Sequence, residues 1–128
     1  MENLKSKLII IYGKAGSYKS TISKYLPTSI SDNSIYLDLE KVKYTINDVI
    51  ECLSLYDMVV VDYIELLDIN IDDIRLLKKI IIDTHKTLIL VSCCASNKEL
   101  INNNYNKIKR IIDISIILDT NKRDYINL

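Results

Sequence analysis

Tryptophan and phenylalanine are absent from this chain, and glycine, proline and histidine are nearly so: two, one and one among 128 residues. Tyrosine is then the sole aromatic, and a core has to be assembled from isoleucine, leucine and valine. The apolar share, 48%, allows that and excludes a disordered chain. No apolar run is long enough to span a bilayer, and no signal-peptide pattern is present. A cytoplasmic protein (host cytoplasm if viral) with no membrane partner is therefore expected. Cys52, Cys93 and Cys94 do not have metal-site spacing, and neighbouring cysteines cannot readily pair; reduced thiols fit the same compartment. A net formal charge of zero excludes a general electrostatic grip on nucleic acid and leaves only local patches. Such patches exist: residues 1–26 carry five lysines against one glutamate, and residues 32–73 carry eleven acids against two lysines. The abundance of Ile, Asn, Lys and Tyr matches AT-rich coding, common in viruses, phages and mobile elements. The length predicts one domain over residues 1–128.

The two glycines turn this scarcity into a signal. Both lie in Gly13-Lys14-Ala15-Gly16-Ser17-Tyr18-Lys19-Ser20-Thr21, after the apolar run Leu8 to Ile11 and before an amphipathic stretch. Glycine serves where backbone must approach a ligand or adopt special dihedrals. Strand, glycine loop and helix form the setting of a P-loop, G-x-x-x-x-G-K-[ST]. Gly13, Lys19 and Ser20 fit that pattern, while Tyr18 stands where the second glycine belongs. If that position needs a left-handed backbone, tyrosine there costs about 1–2 kcal/mol. Backbone N–H groups from Gly16 to Ser20 would wrap a β-phosphate at the positive end of the following helix. Lys19 would reach the β- and γ-phosphates of ATP, and Ser20 would ligate Mg²⁺. The competing reading is a turn and helix start without a ligand.

Apolar periodicity places the remaining elements. Residues 6–12 predict a strand, 19–26 a helix stopped by Pro27, and 33–39 a second strand. Thr45 predicts the cap of a helix over 46–55, with Val49, Ile50 and Leu53 on one face. Residues 56–63 predict a buried strand ending in Asp62. Ile74, Leu77 and Ile81 predict a helix over 71–84, with Asp72 and Asp73 at its positive end and His85 just past its negative end. Residues 86–92 and 111–118 predict further strands, 97–110 a short helix within a loop, and 125–128 a last short strand. The alternation predicts a three-layer α/β fold, with a mostly parallel sheet between helices on both faces.

Ligands of open α/β sheets sit at the carboxyl ends of the strands. Asp62 is therefore the candidate Walker B acid, holding Mg²⁺ through water; an acid that merely caps a turn is the alternative. Glu40, after the second strand, could orient an attacking water or could be a solvated acid. Glu65 rivals it.

Three segments resemble the RecA-type ATPase core, the group of RecA, the DnaB-type replicative helicases and KaiC. They are the P-loop, Ile35-Tyr36-Leu37-Asp38-Leu39-Glu40, and Val59-Val60-Val61-Asp62-Tyr63-Ile64-Glu65-Leu66-Leu67. Gly16-Ser17-Tyr18-Lys19-Ser20 is similar to variant P-loops of plasmid and phage relatives. Residues 113–125 look like the strand pair that closes such domains. The resemblance implies ATP and Mg²⁺ as ligands, Glu40 as catalytic glutamate, and a homo-oligomer with sites between subunits. It also implies action in DNA replication or recombination with a helicase or recombinase partner. The family's polar residue at the end of the fourth strand falls near Ser92 and Cys93. Lys122 and Arg123 would have to supply a finger, with Arg110 a weaker candidate. Without one, hydrolysis should be slow. Single-stranded DNA would be met after Asp62 and after Ser92, where Lys98, Asn102 to Asn104, Tyr105, Lys107, Lys109 and Arg110 combine cations, amides and an aromatic.

Three other readings compete. A ParA/MinD-type ATPase would use Lys14 as its signature lysine, although Ala15 spoils the glycine pair. A nucleotide kinase would need an arginine-rich lid that is not visible. A non-catalytic nucleotide-binding or assembly module would need no finger.

Overall fold

The structure is a computed structural model and describes residues 6–13, 33–67, 69–92 and 111–118. Five strands form one sheet: β1 (Leu8–Gly13), β2 (Ser34–Asp38), β3 (Met58–Asp62), β4 (Thr87–Ser92) and β5 (Ile114–Leu118). Their order across the sheet is β2-β3-β4-β1-β5, and every pairing is parallel. The expected parallel sheet is therefore found, with each strand within three residues of its predicted ends. The expected helix over 19–26, the segment 97–110 and the strand over 125–128 lie outside the described residues.

Parallel strands covered on both faces read as continuous apolar runs, and these do. All of β3 and β4 is buried. Alternate residues divide between two cores. Leu8, Ile10, Leu37, Val59, Val61, Leu88 and Leu90 face one side. Ile9, Ile11, Met58, Val60, Ile89 and Val91 face the other. Each fully buried aliphatic side chain stabilises the fold by about 1.5–3 kcal/mol, so the sheet is held by this sandwich rather than by its surface charges.

Two helices cover the first side. α1 (Ile46–Leu55) buries Val49 and Leu53, and α2 (Ile71–Thr84) buries Ile74, Leu77 and Ile81. Both start as predicted, and each is closed by a reciprocal cap. Thr45 Oγ1 accepts from Asp48 N (3.3 Å), while Thr45 N donates to Asp48 Oδ2 (2.7 Å). Asn70 Oδ1 accepts from Asp73 N (2.9 Å), and Asn70 N donates to Asp73 Oδ2 (3.0 Å). Such boxes satisfy N–H groups that the first turn leaves unpaired.

His85 does close α2, though through its backbone. It takes a left-handed conformation (φ 57°), its N–H turns to the carbonyls of Ile81 and Ile82, and Lys86 N reaches Ile81 O at 2.9 Å. Its ring lies 3.4 Å from the hydroxyl of Ser6 (Nδ1 to Oγ) at the amino end of the sheet.

Candidate functional site

Strand order alone picks out one crevice. From β1 the chain must travel across β4 and β3 to reach β2, while from β4 it must travel the opposite way, past β1, to reach β5. The carboxyl ends of the adjacent β1 and β4 are therefore the switch point, where open α/β sheets hold ligands. Gly13 ends β1 there, and Ser92 ends β4 with its side chain buried. Tyr12 pairs with Ser92, which sets both strand ends at one level.

Asp62 ends β3 on the far side of β4. Neighbouring strands lie about 4.8 Å apart, so the ends of β1 and β3 are separated by about 10 Å. That gap suits a phosphate chain with a metal at one end. The next strand over brings Asp38, paired in register with Asp62.

Asp62 is 0% exposed. A buried carboxylate is costly unless donors surround it, and two are in place. Tyr63 N donates to Oδ1 at 2.9 Å. The Tyr36 hydroxyl donates to Oδ2. The residue that makes the first bond has an unusual backbone: Tyr63 is left-handed (φ 61°, ψ 51°). For a non-glycine residue this conformation costs about 1–2 kcal/mol, and such strain clusters at functional sites. The second bond comes from the neighbouring strand. Tyr36 is level with Val60 and on the same side of the sheet, so its ring runs along β3 toward Asp62. Burial first, then the bonded Asp62 carboxylate, with smaller contributions from Asp38 and Tyr63, push the Tyr36 phenol far above its usual range. It remains a hydrogen donor at any physiological pH.

No cation pairs with Asp62 among the described residues. No cluster of three or more His, Cys, Asp or Glu that could hold a metal occurs among them either. One buried carboxylate with a second in register beside it does not make a protein cage. It does fit Mg²⁺, which takes one or two carboxylates and completes its shell with waters and phosphates.

Glu40 is exposed, in the turn after β2. Its N–H bonds Asp38 Oδ1 at 3.0 Å, and Lys41 N and Val42 N bond the Asp38 carbonyl at 3.2 and 3.0 Å. The sheet thus brings Glu40 to the same end as Asp62, though beyond the edge strand. Glu65 falls in a short 3₁₀ turn, Ile64–Leu66, after β3. Lys14, Ala15, Gly16, Ser17, Tyr18, Lys19, Ser20 and Thr21 lie outside the described residues, as do Cys93, Cys94, Arg110, Lys122 and Arg123. No helix among the described residues is long and apolar enough to cross a membrane. Sequence reasoning missed Tyr36 and the left-handed Tyr63, because neither cross-strand register nor a positive φ at tyrosine has a local sequence signature.

Neither a protein family nor a curated relative matches the chain. Solved structures do. The ORC2 protein of Aeropyrum pernix, in ADPNP and ADP complexes, superposes with a TM-score of 0.66 at 11% identity, over 89% of this chain and 42% of that one. The replication initiator DnaA bound to AMPPCP and single-stranded DNA gives 0.56 at 17% identity, over 96% and 46%. The RuvB Holliday junction branch migration motor of Thermotoga maritima gives 0.56 at 15%, over 88% and 37%. This chain therefore spans less than half the length of each. Likeness at these identities shows the fold, and the fold is that of the α/β P-loop NTPases.

Proposed function

We propose that this chain is a MgATP-binding domain that hydrolyses ATP weakly and acts in DNA replication or recombination, in a virus or mobile element. The observation that carries the proposal is the fully buried Asp62, one strand removed from a β1 that ends in Gly13 at the sheet's switch point. Topology supports the rest. Parallel crossovers are right-handed, and the connections through α1 and α2 run from β2 to β3 to β4 on one side. Asp62 and Tyr36 lie on the other side of the sheet.

In this reading the backbone N–H groups of residues 16–20 hold the β-phosphate. Lys19 contacts the β- and γ-phosphates, and the Ser20 hydroxyl and Asp62 hold the metal, Asp62 through water. Magnesium, when bound with ATP, neutralises charge on the phosphate oxygens. Glu40 orients the attacking water. A finger from Lys122, Arg123 or Arg110 of a second copy would accelerate the step, so self-association accompanies turnover. The RecA-type assignment rests on the segments Ile35–Glu40 and Val59–Leu67. The solved structures that carry the fold likeness include an ORC2 protein, a replication initiator and a branch migration motor. DNA contact would involve the segments after Asp62 and Ser92.

The exposure of Glu40 favours a second reading, a non-catalytic nucleotide-binding module that assembles with a helicase or recombinase. ATP hydrolysis by wild type and Lys19→Ala, with and without single-stranded DNA, separates the two. Turnover that rises with DNA and is lost in the variant supports the ATPase. Binding without turnover supports the module. Neither binding nor turnover contradicts both.

A further inference from the structure

We infer that Tyr36 is a positioning residue for the magnesium site, acting through its hydrogen bond to Asp62; this rests on the MgATP reading above. A carboxylate that holds a metal through water must keep a fixed orientation, because a hydrated Mg²⁺ demands near-ideal geometry. Asp62 is fixed by two donors, one on each oxygen. Tyr63 N belongs to the peptide that immediately follows Asp62, and the Tyr36 hydroxyl is set by the neighbouring strand. Each oxygen has a further lone pair, able to accept from a water, that no other bond among the described residues takes up. The Tyr36 ring packs against the apolar side formed by Met58 and Val60, so its hydroxyl is held in place rather than free to swing. Both donors are neutral. They orient the carboxylate without cancelling its charge, whereas a lysine in the place of Tyr36 would compete with the metal.

The chemistry assigns Tyr36 a role that its packing does not. Tyr36→Phe keeps the ring and removes only the donor. The test is equilibrium binding of a fluorescent ATP analogue across a Mg²⁺ titration, in wild type, Tyr36→Phe, Asp62→Asn and the double variant. The expected result is that Tyr36→Phe needs about tenfold more Mg²⁺ for half-maximal binding, as for loss of a hydrogen bond to a charged group. Metal-free binding of the analogue should not change, and the double variant should have the same Mg²⁺ requirement as Asp62→Asn. An unchanged Mg²⁺ requirement in Tyr36→Phe would overturn the inference. So would weakening by the same factor with and without Mg²⁺, which marks a packing role. Failure of wild type to bind the analogue at all would instead overturn the MgATP reading, and the inference with it. A thermal melt of each variant without ligand shows that the proteins compared are folded.

Discussion

The two ends of the sheet treat a carboxylate in opposite ways. At the amino end, Asp113 accepts from Leu8 N (2.7 Å) and from the Lys78 ammonium with the same oxygen, Oδ2. This joins the start of β5 to β1 and to α2. Nearby, Lys86 pairs with Asp57 at 3.2 Å, and Ser6 N bonds Lys86 O at 2.8 Å. At the carboxyl end, Asp62 is buried more deeply than Asp113, and among the described residues its side-chain donors are neutral. Both ends contain non-glycine residues with positive φ, Ser6 and His85 at one and Tyr63 at the other. The amino end pairs its carboxylates with lysines; the carboxyl end orients a carboxylate that no described residue neutralises. Charges balanced internally serve folding.

That contrast breaks most sharply at Lys19, which the account puts at the phosphates. Lys19→Ala should lower any ATP turnover by about 10²-fold or more, as for loss of one charge-stabilising donor, with the unfolding midpoint unchanged. Steady-state hydrolysis beside a denaturant melt checks both halves.

The next effect compares the two acids directly. Asp62→Asn should weaken Mg²⁺-dependent nucleotide binding by about 10–100-fold, the range seen when partners one layer out from a metal are lost. Folding stability should hold or rise, because the amide oxygen can still accept from Tyr63 N, the amide NH2 can donate to the Tyr36 hydroxyl oxygen, and a buried charge is gone. Asp113→Asn should do the reverse: it should cost about 1–2 kcal/mol, since the Lys78 and Asp113 side chains are only 18% and 26% exposed, and leave the Mg²⁺ requirement alone. If both variants lost stability equally and neither changed Mg²⁺ dependence, the two ends would be alike and the distinction would fall.

The Asp113 contribution has a defined pH window. Burial would raise its pKa, but the bonds from Lys78 and Leu8 N, and the charges of Lys78 and Lys7, bring it below the ordinary carboxylate value. A carboxyl whose pKa is lower in the folded state adds stability above its unfolded pKa, about 3.9. That stability is lost as pH falls through the folded value. The gap in stability between wild type and Asp113→Asn should therefore be flat from pH 6 to about pH 5 and close below about pH 4. Urea melts over that range measure it.

The smallest effect concerns the left-handed cap. His85→Gly relieves about 1–2 kcal/mol of backbone strain and gives back about 0.5–1 kcal/mol in chain entropy. A net gain near 0.5 kcal/mol is expected, visible as a rise of a few degrees in melting temperature. A loss instead would show that the Ser6–His85 contact outweighs the strain.

Much of this was legible in the chain, and what was not has a common cause. Helix 71–84 announced itself through Ile74, Leu77 and Ile81, and helix 46–55 through Val49 and Leu53 behind Thr45. The apolar run into Asp62 marked a buried strand with an acid at its mouth. These signals are local periodicities. The position of β4 between β1 and β3 is not local, and it sets the width of the site. Nor is the register that brings Tyr36 alongside Val60 and its hydroxyl to Asp62. Asp113 read as the middle of a strand, Ile111 to Leu118, because aliphatic residues surround it. It instead precedes β5 and anchors it, since a carboxylate within reach of Leu8 N and Lys78 is better satisfied there than in a ladder. The reciprocal caps at Thr45 and Asn70 were present in the sequence as T-x-x-D and N-x-x-D, with aspartate in the place where Glu or Gln is the usual signal.

The central claim is that the carboxyl end of the sheet is a MgATP site built on Lys19 and Asp62. Calorimetric titration of ATP into wild type and Lys19→Ala, in Mg²⁺ and again in EDTA, tests it most directly. The account predicts saturable binding by wild type that weakens in EDTA and is lost in the variant. Absence of ATP binding by folded wild type, or equal affinity in Lys19→Ala, would contradict it.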